Sequence, residues 1–426
     1  MRVGVIARLL ASSCAGLLLM GIATGLAHAQ PVPIAPPYGI TPTLDPQKLQ
    51  LPLRAPITLL PSITISEEYN DNILLNNANR QWDLITGITP ALNFIWESRT
   101  HRLIAGYNFT AELYLREPAR DNAFNHQNFN LDGMWRATEQ LTLTLTNAFT
   151  ATTDTNLIAP EGVSVGRDQS FGNVLAGGAA YQIDQFTSVR AGGSYALQRF
   201  SDSALDESNV YRANVGLDRT LTRQLRGTLG YEFAYFDIEH EEKVTTHTPR
   251  IGLSWTMTPT ITLTVNGGPS FEQREHGASR ITPAVAAAYD QKTWFGAVGL
   301  GFDRLVATAG GLGGPTDNTS VYGRVDLLTL MRGLTLSFVP RYSWVKSPSG
   351  EPTRNGPIDI QSFTMPLQAT YRLTAWMAAV ARYQFFRQRT PQPIFDNAGD
   401  LIATDADQNR IFVGLQFGYP ITFDRP

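Results

Sequence analysis

From about residue 58 onward the chain repeats one unit, in which a stretch of 12–17 alternating apolar and polar residues is followed by a gap. Eighteen such stretches can be counted. Gaps after odd-numbered stretches are generally long and polar, as at 70–82, 154–168 and 390–407, whereas those after even-numbered stretches have one to four residues, as at 98–100 and 373–374. This regular difference predicts an all-β fold, a transmembrane antiparallel up-and-down β-barrel with short periplasmic turns and longer surface loops.

The stretches also carry the two-faced pattern that a barrel wall needs, because side chains alternate across a strand. The fifth stretch sets Leu141, Leu143 and Leu145 against Thr142, Thr144 and Thr146. Aromatic residues such as Tyr231 and Tyr235 gather near stretch ends, where an interfacial girdle is expected. Stretches 12 to 14 are blurred, since Val298, Leu300 and Phe302 share one face while Leu305 occupies the other. We therefore expect about 18 strands, with 16 as the alternative.

The N-terminal region predicts export. Arg2 and Arg8 precede an apolar run that ends at Ala27-His28-Ala29, so residues 1–29 are expected to be a signal peptide, with a membrane anchor as the alternative. Nine prolines in 30–61 predict an extended, Pro-rich periplasmic leader over 30–57, either a linker or a segment that docks a periplasmic export partner. The barrel then spans 58–426, in the outer membrane of a Gram-negative bacterium and in contact with its lipid.

One short motif adds a resemblance. The chain reads Glu68-Tyr69-Asn70-Asp71-Asn72-Ile73-Leu74, then Asp83-Leu84-Ile85-Thr86 and Ile88-Thr89-Pro90. Residues 63–92 thus resemble the opening of the β-barrel porin family of outer-membrane proteins whose members often accompany exopolysaccharide export and exosortase-type systems. The resemblance implies a porin-like passage for saccharides or exopolysaccharide export.

Alternation also places a set of charged residues on the lumen face. The pore-lining candidates are Glu112, Arg190, Arg212, Arg226, Glu232, Arg250, Arg324, Asp326, Arg341, Arg372 and Arg382. Arginines outnumber carboxylates in this set, which favours an anionic solute or acidic glycan as cargo. The alternative is that these charges pair across strands, as Arg212 with Asp218 and Arg324 with Asp326.

No motif points to catalysis. The chain lacks a G-x-S-x-G nucleophile motif, and His240 has no second histidine at zinc-motif spacing. Tyr69–Asn72 offers oxygen ligands for calcium, but Asx residues more often make turns. A net charge of −3 with 17% charged residues gives no indication of a nucleic-acid partner. We expect no enzyme, no cofactor and no metal site; the predicted function is a water-filled passage, with a plugged barrel that docks secretion partners as the alternative.

Overall fold

The computed structural model describes residues 57–158, 162–276, 279–328, 330–348, 356–395 and 401–423. The predicted signal peptide and all but the last residue of the predicted leader lie outside the described residues. Among those described, no helix is long and apolar enough to cross a membrane. Two single-turn 3-10 helices, Pro118–Arg120 and Thr155–Leu157, are the helical elements of the described residues.

Strands account for most of the rest. The first nine are β1 (Ile57–Asn70), β2 (Asp83–Glu97), β3 (His101–Tyr114), β4 (Asn122–Arg136), β5 (Leu141–Asp154), β6 (Arg167–Gln182), β7 (Thr187–Phe200), β8 (Ser208–Thr220) and β9 (Leu225–Ile238). The next nine are β10 (Val244–Thr258), β11 (Ile261–Arg274), β12 (Arg280–Thr293), β13 (Gly296–Thr308), β14 (Pro315–Leu327), β15 (Leu334–Phe338 and Arg341–Lys346), β16 (Asp359–Arg372), β17 (Met377–Arg389) and β18 (Ala406–Gly418, continued by Ile421–Phe423). A two-stranded hairpin, Ile394–Phe395 with Leu401–Ala403, lies between β17 and β18.

Each strand pairs antiparallel with the next, and the sheet closes on itself. β1 pairs with β18 from Ser62 opposite Gly418 to Asn70 opposite Arg410. The chain therefore forms a closed, 18-stranded antiparallel barrel, which confirms the predicted fold class and the larger of the two strand counts. Closure pairs the first strand with the last, so neither is left as a free sheet edge, the condition that allows a β-structure to span a membrane.

The two faces of the wall differ as the alternation predicted. On β1 the inward Thr64 is 1% exposed, whereas its outward neighbour Ile65 is 51% exposed. Leu229 on β9, Leu253 on β10 and Val413 on β18 point outward in the same way. A continuous exposed apolar band of this kind suits lipid rather than water.

The two ends of the barrel differ in the length of the connections between strands. The connections predicted to be periplasmic are tight turns. In the β6–β7 turn, Asp184 Oδ1 accepts hydrogen bonds of 2.7 Å from the Phe186 N–H and 2.9 Å from the Thr187 N–H. The Phe186 bond stabilises the carboxylate and lowers the pKa of Asp184. The longest of these connections, 328–333 between β14 and β15, exceeds the predicted one to four residues.

Pro340 interrupts β15 without opening the wall. It has no N–H to donate, so the ladder breaks there. Its carbonyl still accepts a 2.8 Å bond from the Gly323 N–H, and the Val339 N–H donates 3.2 Å to Pro366 O on the other side. The strand therefore bridges the break and keeps its place between β14 and β16.

Candidate functional site

The extracellular end of the lumen is filled by the barrel's own loops, which build an apolar core we call the mouth cluster. Its members come from five loops and from the neighbouring wall. They are Val163, Val165, Leu205, Ala309, Leu312, Val345, Ile358, Ile360, Ile394, Ile402 and Ala403, with Phe200 packed against them. Burial of so many aliphatic side chains inside a membrane barrel narrows its entrance.

Loop β5–β6 (residues 155–166) crosses the lumen to reach the opposite wall. The Ser164 N–H donates 2.8 Å to Gln388 Oε1 of β17, and Gln388 Nε2 donates 2.9 Å back to Ser164 O. Thr155 fixes the loop's own shape, because its hydroxyl donates 2.7 Å to Gly166 O and accepts 3.0 Å from the Val165 N–H. The loop is thus held at both its base and its far point.

A second inward element is the outer end of the β13–β14 hairpin (residues 305–317), which we call the hairpin end. Val306 is buried in a cluster with Val210, Ala234, Phe236 and Val244, which lie on the inner faces of β8, β9 and β10. The hairpin end therefore packs on the inside of the wall. This explains the blurred pattern of stretches 12 to 14, since both faces of upper β13 are covered by protein.

Polar contacts hold the hairpin end in the same place. Arg212 Nη2 on β8 donates 3.3 Å to Val306 O, and Thr308 Oγ1 donates 3.4 Å to Gln198 Oε1 on β7. Gly311 O accepts 2.8 Å from the Asp206 N–H of loop β7–β8. Gly311 has φ +91°, and a Cβ there would lie 2.9 Å from the Phe200 ring, so this tip position requires glycine.

Next to loop β5–β6 lies a buried charged cluster, which begins at Arg410 on β18. Its guanidinium holds Glu68 of β1 with two bonds of 2.7 and 3.1 Å. The third contact is 2.6 Å to Asp154 Oδ2 at the end of β5. All three side chains are almost fully buried. A bidentate arginine–carboxylate pair fixes the relative orientation of the two side chains as well as compensating their charges.

The cluster continues through Arg167, Glu112 and His126. Arg167 lies 3.9 Å from Asp154 Oδ1 and 3.7 Å from Glu112 Oε2, and His126 Nε2 lies 3.2 Å from the same Glu112 oxygen. Arg167 also hydrogen-bonds the Tyr114 hydroxyl. The cluster contains three carboxylates and two guanidiniums. Its formal charge is therefore −1 when His126 is neutral and zero when His126 is protonated.

The cluster forms one side of a recess in the lumen wall. The recess is small, with a cavity volume of about 30 Å³. Its lining combines the hydroxyl and amide groups of Ser66, Thr89, Thr110, Asn128 and Thr150 with Glu68, Glu112 and His126, and the larger share of its surface is apolar, from residues such as Ile85, Leu157 and Phe412. Such a lining can offer several donors and acceptors to one polar molecule.

The predicted pore-lining residues lie on the inner face, and most of them are paired. Arg190 bonds Asp218, Glu232 lies 3.2 Å from Arg212 and 3.3 Å from Arg250, and Arg341 lies 3.6 Å from Asp303. Arg324 pairs with Asp326, as predicted, whereas the predicted Arg212–Asp218 pair is wrong because both residues have nearer partners. Most lumen charges therefore compensate one another.

The remaining candidates occupy different surroundings. Arg382 is buried against the Phe412 ring and donates 3.3 Å to Gln368 Oε1. Arg372 lies at the periplasmic rim, where it donates 3.2 Å to Thr374 O. Arg226 on β9 shares the inner face with Thr228, and among the described residues it makes no ion pair. Glu112 belongs to the buried cluster rather than to the open pore.

Sequence reasoning missed four members of the charged cluster: Glu68, Asp154, Arg167 and Arg410. His126, which the sequence analysis did not single out, lies in β4 and is buried on the inner face. The Asn70–Asn72 segment forms an Asx turn, with the Asn72 N–H donating 3.0 Å to Asn70 Oδ1. Asp71 Oδ2 lies 2.5 Å from Arg80 Nη2. The side-chain oxygens of Asn70 and Asp71 therefore make contacts within the turn and its loop.

Comparisons with known proteins give a fold likeness at low identity. No family model and no curated protein matches the chain. Among solved structures the chain is similar to Pseudomonas aeruginosa OpdO (14% identity, 86% of this chain and 97% of that one, TM-score 0.43). It is also similar to Acinetobacter baumannii OccAB4 (11%, 87% and 100%, 0.43) and P. aeruginosa OpdQ (12%, 86% and 98%, 0.42).

Proposed function

We propose that this chain is a porin-like barrel of the outer membrane of a Gram-negative bacterium, giving polar solutes a water-filled passage. The observation that carries the proposal is the solvent exposure of inward-facing charged residues. Asp132 and Arg136 on β4 are exposed, and the Arg324 side chain on β14 is 62% exposed although it points into the barrel. Charged groups in that position require water inside the lumen.

The strand count supports a passage of useful width. Barrels of 16 to 18 strands leave an aqueous channel, whereas eight-stranded barrels are filled by side chains. Here the periplasmic half of the lumen carries small inward residues, such as Ala176 and Gly178 on β6 and Gly192 on β7. Among the described residues, the inward loops narrow the extracellular half, so the recess beside loop β5–β6 is the place where solutes would be selected.

Saccharides are the solute class that the resemblance of residues 63–92 implies. The hydroxyl and amide side chains beside the recess would offer hydrogen-bond donors and acceptors to a sugar that passes it. Export of an exopolysaccharide would follow from the family resemblance of residues 63–92. In that case the leader over 30–57 would contact a periplasmic export partner.

The part of the wall formed by β7 to β10 favours an anionic saccharide or another anionic solute. The inner faces of β7 to β10 carry Arg190, Arg212, Arg226 and Arg250, against Asp218 and Glu232. The excess of two positive charges would attract anions in a confined aqueous space.

A plugged barrel that docks secretion partners is the second candidate function, and the mouth cluster favours it. Eleven buried apolar residues close the extracellular entrance more firmly than polar loops would. In this form the barrel would be a platform for partners at its loops or its leader.

Conductance in planar lipid bilayers tests the two candidates. The purified mature barrel is compared with a variant in which residues 158–165 are replaced by a short glycine–serine linker. We expect steady conductance from both, larger in the variant, and liposome swelling in neutral sugars. If neither protein conducts, the passage is refuted and the platform is favoured. Partner capture that is lost on deletion of 30–57, with conductance unchanged, would support the docking role of the leader.

A further inference from the structure

We propose that the hairpin end (residues 305–317) is the gate of this barrel, moving between the lumen and the wall. The inference rests on the proposed passage and concerns its regulation. In the structure the hairpin end narrows the lumen; returned to the wall, it would extend the ladder between β12 and β13 and widen the entrance.

The first observation is an incomplete ladder. β12 extends to Arg280 and β13 to Thr308, but their pairing ends at Val285 opposite Arg304. β13 and β14 stay paired up to Thr308 opposite Pro315. The hairpin is therefore intact, and it stays joined to β15 up to Asp317 opposite Lys346, so it parts from the wall on the β12 side alone. Residues 280–284 of β12 pair with β11 but with no described strand on the other side.

An unpaired edge in a membrane wall is normally expensive, because backbone groups lose their partners. The sequence lowers that cost at Pro283, which has no N–H to leave unsatisfied. Pro283 lies opposite Pro269 on β11. Pro249 on β10 lies at the same level, where the β10–β11 ladder is interrupted between His247 and Ile251. All three prolines are exposed on the outer face. The wall is thus built with a weak seam beside the hairpin.

The second observation is that the residues of the hairpin end set the balance between the two positions. Continuing the β12–β13 register places Ala307 opposite Thr282 and Val306 opposite Pro283. Val306 would then face outward, which suits valine as well as the buried cluster that it occupies now. Asp317, directly opposite Val306 on β14, would turn outward with it, so its charge favours the inward position. Ala307 would face the lumen and take little room there.

A charged lock holds the hairpin end inside. Arg280 on β12 donates 2.8 and 3.2 Å to the two Asp317 oxygens of β14, and 2.7 Å to Glu272 on β11. Arg304 lies 3.7 Å from the same Asp317. Because Glu272 is completely buried on the inner face, this lock keeps Asp317 next to the lumen side of the seam. Loss of the Asp317 charge would remove its ion pairs with Arg280 and Arg304 and free the hairpin end to move outward.

Two cysteine pairs test the gate, since the only cysteine of the chain, Cys14, lies within the predicted signal peptide. Thr308→Cys with Gln198→Cys, joined by dibromobimane, captures the inward state. Thr282→Cys with Ala307→Cys, oxidised to a disulfide, captures the outward state, because these positions become cross-strand neighbours only there. Yields are measured by gel mobility, and conductance is measured before and after reduction or cross-linking.

We expect both cross-links to form, the outward disulfide to raise conductance several-fold, and the inward cross-link to hold it at its lowest level. Asp317→Asn should raise the yield of the outward disulfide. The matched control, Asp237→Asn, neutralises a carboxylate on the outward face of β9, away from the seam, and should leave the yield unchanged.

Failure of the outward disulfide to form, even with Asp317→Asn, would overturn the gate, provided that the inward cross-link shows the barrel to be folded. Unchanged conductance in the outward state of a conducting barrel would overturn it too. A barrel that conducts in neither state refutes the passage instead, and the gel yields still report separately whether the hairpin end moves.

Discussion

Arg410 on β18 donates a 2.6 Å hydrogen bond to Asp154 at the end of β5. These strands are not neighbours in the sheet, so the bond crosses the lumen. The same guanidinium holds Glu68 on β1, the strand at which the barrel closes. One arginine therefore joins the closing seam to the base of loop β5–β6.

Arg410→Ala should lower the free energy of unfolding by about 3–5 kcal/mol, because it removes the cation bound to the buried Glu68 and leaves Asp154 with only the longer 3.9 Å contact to Arg167. Arg410→Lys keeps the positive charge but loses the bidentate contact with Glu68, so it should lower the free energy of unfolding by less. Urea titration of the barrel refolded in lipid vesicles measures both. Arg389→Ala is the control: its pair with Asp405 is exposed, so we expect a change of about 1 kcal/mol or less. Equal losses for Arg410→Ala and Arg389→Ala would contradict the role of the cluster.

Gln388→Met should loosen loop β5–β6, because it removes both hydrogen bonds to Ser164 while keeping the side-chain length. The loss leaves a buried N–H and a buried carbonyl unpaired, which costs about 1–3 kcal/mol each. Hydrogen exchange of the amides at 162–166 should become faster. Gln361→Met serves as control, since Gln361 bonds Tyr342 away from the loop. Unchanged exchange in Gln388→Met would mean that the mouth cluster alone holds the loop.

Strand number and facing were predictable from the sequence, because one face of each strand meets lipid and the period of two is strict there. Arg190, Arg212 and Arg250 alternate with exposed apolar residues and so were placed correctly on the inner face. Pairing was less predictable, since the partner of Arg212 depends on how far β8 and β9 are staggered. Register brings Glu232 of β9 next to it, whereas Asp218 lies six residues away on β8 itself and is out of its reach.

The charged cluster and the hairpin end were not predictable by alternation, because alternation fails at both places. A register shift between Thr152 and Asp154 turns Arg167 inward, although its spacing from the outward Phe171 predicts the opposite face. In upper β13, Val306 is covered by the inner wall, so no polar face marks its direction. Both exceptions lie where the chain stops being a simple wall strand.

Charge selectivity should respond to single changes on the β7–β10 wall. Asp218→Asn removes the partner of Arg190 and should make the channel more selective for anions, whereas Arg226→Gln should make it less so. The reversal potential in a salt gradient measures both signs. Asp237→Asn, at the outer rim of β9 and on its outward face, is the matched control and should leave the potential close to that of the parent. A shift of the same sign from Asp218→Asn and Arg226→Gln would rule out control by this wall.

Neighbouring residues on β10 test which side of the wall meets lipid. Leu253 points outward and is half exposed, whereas Ser254 points inward, with its hydroxyl 3.2 Å from that of Thr264. Leu253→Arg should destabilise the barrel in vesicles by about 2–4 kcal/mol, because it sets a charge in hydrocarbon. Ser254→Arg adds the same charge to an aqueous lumen and should cost much less. Urea titration in vesicles compares the two variants directly. Equal or reversed costs would mean that the outer face of β10 is not covered by lipid.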